Sequence, residues 1–321
     1  MRWRDREESQ NVEDRRDEEP SGRGFPFRFP GSGGDDDGGG GGGFPRGIPI
    51  PAGTGGLGIV GVLILLAVMW FLGIDPRTIL DDGNGGGGIT LPRSEAPREA
   101  TQPASAEEQD ERKMAAVVLK TTEDVWTQEF QRMGKTYTPP KLVLYRGDID
   151  SRCGLGAAQM GPFYCPLDHK VYLDLSFFDD MKNRLNAPGE FAEAYVIAHE
   201  VGHHVQTLLG IMDKVMAARA QSNGKAENNA IQVKTELQAD CFAGIWANHA
   251  QKDLQFVDPG DIEQALNAAA AIGDDRLQKR TQGRVVPDAF THGSSEQRVT
   301  WFKKGFDGGN FASCNTFGPQ I

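Results

Sequence analysis

The chain has 321 residues and a formal net charge of −11 at pH 7. Because nucleic-acid binding requires a basic surface, this charge argues against a nucleic-acid-binding protein, and we expect no nucleic acid among its partners. Glycine is concentrated before residue 100, in tracts such as 38–43, where too few apolar side chains are present to offset the entropy lost on folding. The composition therefore predicts a disordered, charged and glycine-rich tail over 1–46, a flexible linker over 75–105 and a folded domain over 106–321.

Between the tail and the linker, residues 47–74 carry no charged side chain. Within them Gly56–Ile74 is an apolar run of 19 residues, which as a helix would be about 28 Å long, close to the hydrocarbon thickness of a bilayer. Trp70, near one end of the run, suits the membrane interface. The long polar stretch before the run disfavours a cleaved signal peptide. The pattern predicts one transmembrane helix over residues 56–74, and a buried core helix is the alternative.

The arginines and cysteines bear on the location of the folded domain. Eight arginines lie at or before Arg46 and three lie between the span and the domain, which favours an N-terminus inside the cell, although this contrast vanishes close to the span. An even number of cysteines, all beyond the span, fits an oxidising compartment. We expect disulfides, and a thiolate metal site is the alternative, although no C-x-x-C pair is present. These features predict a single-pass protein of the cytoplasmic (inner) membrane, with the folded domain periplasmic or extracellular. The candidate disulfide pairs are Cys153 with Cys165 and Cys241 with Cys314.

The folded part contains patterns typical of helices and of short strands. Apolar residues with helical spacing predict a helix over Ala106–Met133, which Pro139 and Pro140 follow. Two strands are predicted over Lys141–Tyr145 and Lys170–Leu175. The second is either an edge strand that could pair with an extended peptide or a core strand. Strands followed mainly by helices predict the α+β class, with further helices at about 189–210, 226–250, 261–272 and 295–306.

The helix predicted at about 189–210 carries an H-E-x-x-H motif, in which His199 and Glu200 are followed by His203. Two histidines four residues apart lie about 40° apart around a helix, so both imidazoles can reach one metal ion. Glu200 projects nearby and can take a proton from water on the metal. The motif therefore indicates zinc-peptidase chemistry, and a helix with solvated histidines is the alternative.

A catalytic zinc ion takes three protein ligands and leaves a fourth position for water. Glu236, on the next long predicted helix, is the candidate third ligand, and a solvated helix face is the alternative for it. Asp240 lies one turn further along the same face, where it can hold the far ring nitrogen of a ligating histidine and fix its tautomer. We therefore expect one Zn²⁺ per chain.

Longer stretches around these residues resemble the bacterial family of putative neutral zinc metallopeptidases. They are H-E-V-G-H-H-V-Q at 199–206 and E-L-Q-A-D-C-F-A-G at 236–244, together with G-P-F-Y-C-P at 161–166 and V-Y-L-D-L-S-F-F at 171–178. The pattern of ligands is similar to that of the gluzincin peptidases. The resemblance covers about residues 110–317. It implies a zincin-like domain, with an active-site helix on a small sheet and further helices C-terminal to it, behind one N-terminal membrane span.

The resemblance also implies residue roles. The two motif histidines and Glu236 would hold zinc, and Glu200 would be the general base. His292 is a candidate donor to the developing oxyanion, because gluzincins commonly bring a histidine from downstream; a loop or helix-capping histidine is the alternative. Arg298 is a weaker candidate for supporting the site. These roles predict a membrane-anchored, zinc-dependent endopeptidase acting on a protein or peptide substrate, and the alternatives are a non-catalytic zinc-binding scaffold and a membrane adaptor protein.

Overall fold

The computed structural model describes residues 1–18, 104–157 and 161–318 of the chain. The protein has the predicted α+β class, with helices predominating and the described strands forming a four-stranded and a two-stranded sheet. In chain order the elements are β1 (Val12–Asp14), α1 (Ala106–Arg132), β2 (Lys141–Tyr145), β3 (Asp148–Ser151), β4 (Gly154–Ala157), β5 (Phe163–Cys165), β6 (Lys170–Asp174), α2 (Ser176–Asn183), α3 (Glu190–Leu208), α4 (Ile211–Ala220), α5 (Lys225–Lys252), α6 (Asp261–Ala271), α7 (Asp274–Gln282) and α8 (Ser295–Gly308).

The five predicted helices are present as α1, α3, α5, α6 and α8, with ends close to those expected. Local capping explains two of the starts. The Ser105 hydroxyl accepts a hydrogen bond from the amide of Glu108 at the start of α1, and Ser294 and Gln297 form a capping box at the start of α8. The sequence patterns missed α2, α4 and α7. These helices have 8, 10 and 9 residues, which is too few turns for a clear helical period.

The four-stranded sheet has the order β1-β2-β6-β5. β1, β2 and β6 are parallel, whereas β5 runs antiparallel to β6, with Phe163 opposite Tyr172. Of the two alternatives for Lys170–Leu175, the structure shows the core strand, because β6 is flanked on both sides. The edge beside it is β5, whose 3 residues are too few to show the alternation by which a strand is recognised.

The first 18 residues belong to the fold, which contradicts the predicted disordered tail over this part of 1–46. β1 pairs with β2, and Trp3 is buried in the main hydrophobic core. The charges that suggested disorder have partners here. Arg16 is 4% exposed and forms an ion pair with Asp14. The segment therefore folds against the rest of the chain, whereas residues 19–46 lie outside the described residues.

The predicted localisation is corrected by the structure. Among the residues that the structure describes, no helix combines the length and the apolar character needed to cross a membrane. The predicted span, residues 56–74, lies outside those residues, as does the predicted linker up to residue 103. A single crossing there would place β1 and β2 on opposite sides of a bilayer, whereas the two strands share one sheet. The prediction of a single-pass protein with its N-terminus inside and its folded domain outside is therefore wrong.

The four cysteines form the two expected disulfides. Cys153 is bonded to Cys165, with 5.8 Å between their Cα atoms, and Cys241 is bonded to Cys314, with a Cα separation of 5.5 Å. The first joins the β3–β4 hairpin to the end of β5, and the second joins α5 to the segment after α8. Since no cysteine is free, the alternative of a thiolate metal site is wrong.

Candidate metal centre

The close approach of α3 and α5 creates the site. Gly202 lies in α3 between the two motif histidines, and a Cβ atom added there would come within 3.0 Å of the Ala239 carbonyl oxygen in α5. A larger residue would push the two backbones apart. The glycine of H-E-V-G-H therefore lets the motif helix lie directly against the helix that carries Glu236.

His199, His203 and Glu236 converge at this contact. One carboxylate oxygen, Oε2 of Glu236, lies 3.2 Å from Nε2 of His199 and 3.3 Å from Nε2 of His203. Their ligand atoms all lie within 4.8 Å of one another, and no other group of three or more such side chains could hold a metal ion in the described part of the chain. Two imidazole nitrogens and one carboxylate oxygen are a donor set that suits zinc and leaves a fourth position open.

Hydrogen bonds to the far ring nitrogens orient both imidazoles. Nδ1 of His199 lies 2.8 Å from the Asp240 carboxylate, as predicted from the spacing of Glu236 and Asp240. Nδ1 of His203 lies 2.9 Å from Oε1 of Gln206, a residue that the sequence reasoning missed. An acceptor at Nδ1 places the ring proton there and leaves Nε2 as the metal-binding atom. Both imidazoles are therefore oriented so that Nε2 is the nitrogen available to a metal ion.

Gln206 is itself held in one orientation. Its Nε2 donates to the Thr235 carbonyl at 2.8 Å and to Oε1 of Gln238 at 3.0 Å, so its amide oxygen faces His203. Glu236 is held in a similar way, since Nε2 of Gln232 donates to its Oε1 at 2.6 Å. Gln206 lies three residues after His203 and Gln232 lies four residues before Glu236, each pair on the same helix, and this spacing is the signal in the sequence that could have found them.

Asp240 is the centre of a buried network. Its carboxylate accepts hydrogen bonds from the Tyr195 hydroxyl at 2.5 Å and from Nε and Nη2 of Arg298, each at 2.8 Å. Burial alone would raise the pKa of Asp240, but the charges of Arg298 and His199 lower it to about 2. Asp240 is therefore an anion at neutral pH. Arg298 contacts the site through Asp240, in agreement with the prediction that it supports the site.

Glu200 lies on α3 beside the three candidate ligands, and its side chain is almost entirely buried. It accepts no hydrogen bond from the residues that the structure describes, so its carboxylate is available to water or a ligand. Burial raises its pKa above the ordinary value for a glutamate. Glu236 differs: burial would raise its pKa too, but the imidazoles of His203 and His199 hold it well below the usual range. The two glutamates are therefore suited to different tasks, Glu236 as an anionic ligand and Glu200 as a proton acceptor.

His292 lies half-exposed in the loop before α8. It lines the same cleft as the candidate ligands and Glu200. Nδ1 of His292 lies 3.3 Å from Oδ1 of Asp274. The other oxygen of Asp274 accepts three backbone N–H bonds, from Thr291, His292 and Gly293, at 2.6, 2.6 and 3.0 Å. Asp274 therefore fixes the loop that presents His292. The sequence did not predict this role of Asp274, because Asp274 and His292 lie on different elements.

The cleft in front of the metal centre has a volume of about 560 Å³. One part of its lining comes from the chain leading into β5, residues 161–164, so the sheet edge borders the cleft. The polar lining includes the candidate ligands and Glu200. The apolar lining comes from α2, α3, α7 and the turns beside α2 and α6, at Phe177, Leu185, Val196, Ile272 and Leu277.

Comparison with known proteins agrees with this geometry. The family model described as putative neutral zinc metallopeptidase matches residues 1–317. The uncharacterized protein YpfJ of Escherichia coli (strain K12) is 49% identical over 323 residues, covering 100% of both chains. The uncharacterized protein Rv2575 of Mycobacterium tuberculosis (strain H37Rv) is 44% identical over 191 residues, covering 56% of this chain and 63% of its own. No solved structure matches. With the family model matching almost its whole length, including β1, this chain belongs to the putative neutral zinc metallopeptidase family.

Proposed function

We propose that the protein is a zinc-dependent endopeptidase of the gluzincin type. The observation that carries this proposal is the convergence of His199, His203 and Glu236 on one point, with the carboxylate of Glu200 beside them and without a partner among the described residues. A site that only stabilised the fold would have four protein ligands and no need of a free buried carboxylate. The active-site helix α3, packed near a small sheet whose edge borders the cleft, supports a zincin-like fold.

The residues of the site have separable roles. Zinc held by the three ligands would activate a water molecule and polarise the scissile carbonyl. Glu200 accepts the proton of the attacking water and passes it to the leaving amine, for which a raised pKa is favourable. Asp240 keeps the His199 ring oriented. His292, anchored by Asp274, is placed to donate a hydrogen bond to the developing oxyanion.

The cleft suits an extended polypeptide. β5 pairs with β6 on one side and, among the described residues, with no strand on the other. An extended peptide can add to such an edge through backbone hydrogen bonds, which give affinity without a strict sequence requirement. The apolar lining of the cleft then receives a substrate side chain. We therefore propose unfolded protein or peptide segments as the substrate.

Metal removal tests the function. The purified full chain is expected to hold about one zinc ion and to cleave unfolded casein; a chelator should stop cleavage, and zinc but not Mg²⁺ should restore it. His199→Ala should lose both the zinc and the activity, because one of three ligands is gone. The measurements are metal analysis by mass spectrometry and the release of casein fragments. A chain that binds zinc and cleaves neither casein nor a peptide library would support the non-catalytic scaffold instead.

Zinc binding is also expected to depend on pH. In the metal-free protein, burial lowers the pKa of His199, but Asp240 and Glu236 more than offset this and raise it to about 9. The pKa of His203 is also raised, chiefly by Glu236 against the effect of burial. Since a metal binds only the neutral imidazole, zinc must displace these protons at pH 7. Affinity should therefore rise with pH up to about 9, where the His199 imidazole loses its proton.

Calorimetry measures the displaced protons directly. Zinc is titrated into the metal-free chain at pH 7 in two buffers that differ in their enthalpy of ionisation. Between about one and two protons should be released per zinc bound. The same heat in both buffers would mean that the imidazoles are neutral before zinc arrives, contrary to this expectation.

A further inference from the structure

His204 follows a candidate zinc ligand in sequence but faces away from the metal centre. Its Nε2 lies 2.7 Å from the carbonyl oxygen of Thr138, and its Nδ1 lies 3.1 Å from the hydroxyl of Tyr164 in β5. The side chain is 1% exposed and packs against the rings of Tyr137, Tyr164 and His169. His204 therefore connects α3 to two segments that supply no candidate metal ligand.

The direction of these hydrogen bonds follows from chemistry. A carbonyl oxygen can only accept, so Nε2 of His204 carries a hydrogen and donates to Thr138. No carboxylate contacts His204 within the described parts of the chain, and a single ring hydrogen, on Nε2, accounts for both hydrogen bonds of the imidazole. Nδ1 is then an acceptor, and the Tyr164 hydroxyl must donate to it. The chain of bonds runs from Tyr164 through His204 to Thr138 in one defined direction.

Tyr164 is the β5 side chain that reaches α3. Side chains alternate along a strand, and Phe163 and Cys165 belong to a separate small cluster on the other face of the sheet. There Phe163 stacks on Tyr172 with 4.8 Å between ring centroids, and Cys165 is held by its disulfide. Tyr164 packs instead against the main core, and like Phe163 it lines the cleft. The Tyr164–His204 bond is therefore a polar link between the sheet edge and the helix that carries the candidate zinc ligands.

We propose that Tyr164 and His204 are positioning residues that hold the substrate-binding edge β5 at a fixed distance from the metal centre. The proposal rests on the proposed peptidase function. Backbone pairing with β5 contributes to substrate binding before and during the reaction, so loosening β5 should weaken binding more than it slows the chemical step. The effect should grow with the length of substrate that lies along the edge.

Tyr164→Phe tests this with the loss of one hydroxyl group. For a fluorogenic peptide of about ten residues, KM is expected to rise about tenfold, the value of one good hydrogen bond, while kcat changes less than about threefold. A dipeptide derivative too short to pair with β5 should show less than a twofold change in KM, roughly within error. Zinc content and melting temperature, measured alongside, should stay close to those of the wild type.

Two further variants separate positioning from a general loss of structure. Tyr172→Phe is the matched control: it removes, from the strand β6 beside β5, a hydroxyl that donates at 2.8 Å to Asp168 in the turn between the two strands, and it should leave KM unchanged. His204→Phe combined with Tyr164→Phe should raise KM by less than the product of the two single effects, because both variants break the Tyr164–His204 bond. Additive effects, or wild-type kinetics in Tyr164→Phe, would overturn this inference while leaving the peptidase proposal intact. A wild-type chain that cleaves nothing would overturn both.

Discussion

Glu200→Gln is expected to reduce peptide hydrolysis by a factor of about 10² to 10⁴ while zinc remains bound. Glutamine has nearly the shape of glutamate but cannot accept the proton of the attacking water. Glu200 has no hydrogen-bond partner among the described residues and is not one of the three converging ligand side chains. The substitution should therefore disturb neither the ligands nor the packing of α3. The measurements are kcat on casein-derived peptides and zinc content per chain.

Glu193→Gln is the matched control for this experiment. Glu193 lies two turns earlier on α3, is partly buried, and does not line the cleft. Its pKa is raised to about 8 by burial, with a further contribution from Glu111, so it too is a glutamate whose pKa is raised by burial. We expect the control to retain activity. Equal losses in both variants would show that activity depends on the helix as a whole, and full activity in Glu200→Gln would remove Glu200 from the mechanism.

Deletion of residues 1–18 is expected to destabilise the folded domain by at least about 3 kcal/mol, because loss of a buried large aromatic side chain alone costs about 3–5 kcal/mol. That side chain is Trp3, 3% exposed in the core. The deletion also removes hydrogen bonds to the sheet, such as that from the Leu142 amide to the Asn11 carbonyl at 2.8 Å. β2 would then become an unpaired edge, which favours aggregation. A fragment starting at residue 105 should therefore be less stable and less soluble than the full chain.

Urea unfolding followed by tryptophan fluorescence and circular dichroism measures this loss. Trp3→Ala isolates the buried side chain and should cost about 3–5 kcal/mol. Arg4→Ala is the control from the same segment: its side chain is exposed, pairs with Glu190 and lies 4.6 Å from the centroid of the Trp3 ring, and such exposed contacts contribute about 0–1 kcal/mol each. An unfolding midpoint unchanged by the deletion would mean that β1 is not an integral part of the sheet.

The elements that carry the metal centre were predictable because their signals are local. The positions His199 and His203 are related by the helical period, and so are Glu236 and Asp240. Any helix through these residues presents each pair on one face. The apolar positions that mark α3 as a buried helix follow the same period. The chemistry of the side chains then restricts the metal to one that accepts imidazole and carboxylate ligands.

The features that the sequence patterns missed depend on contacts between distant segments. β1 is 3 residues long and lies in a stretch of charges whose partners, such as Lys141 and Lys170 for Glu13, are more than one hundred residues away in the chain. The assignment of β5 as the sheet edge depends on which strand pairs with β6. No periodicity within either segment carries this information.

The chain alone thus established which side chains could bind zinc, since ligand type and helical spacing are properties of a few neighbouring residues. It could not establish that the two helices meet, that Gln206 would orient His203, or that Tyr164 would reach His204. Those relations arise from packing at Gly202 and from hydrogen bonds across elements. The same packing places β1 beside β2, and this pairing overturned the membrane topology that hydropathy predicted. Hydropathy is a property of one segment taken alone, whereas the pairing of β1 with β2 is a contact between segments far apart in the chain.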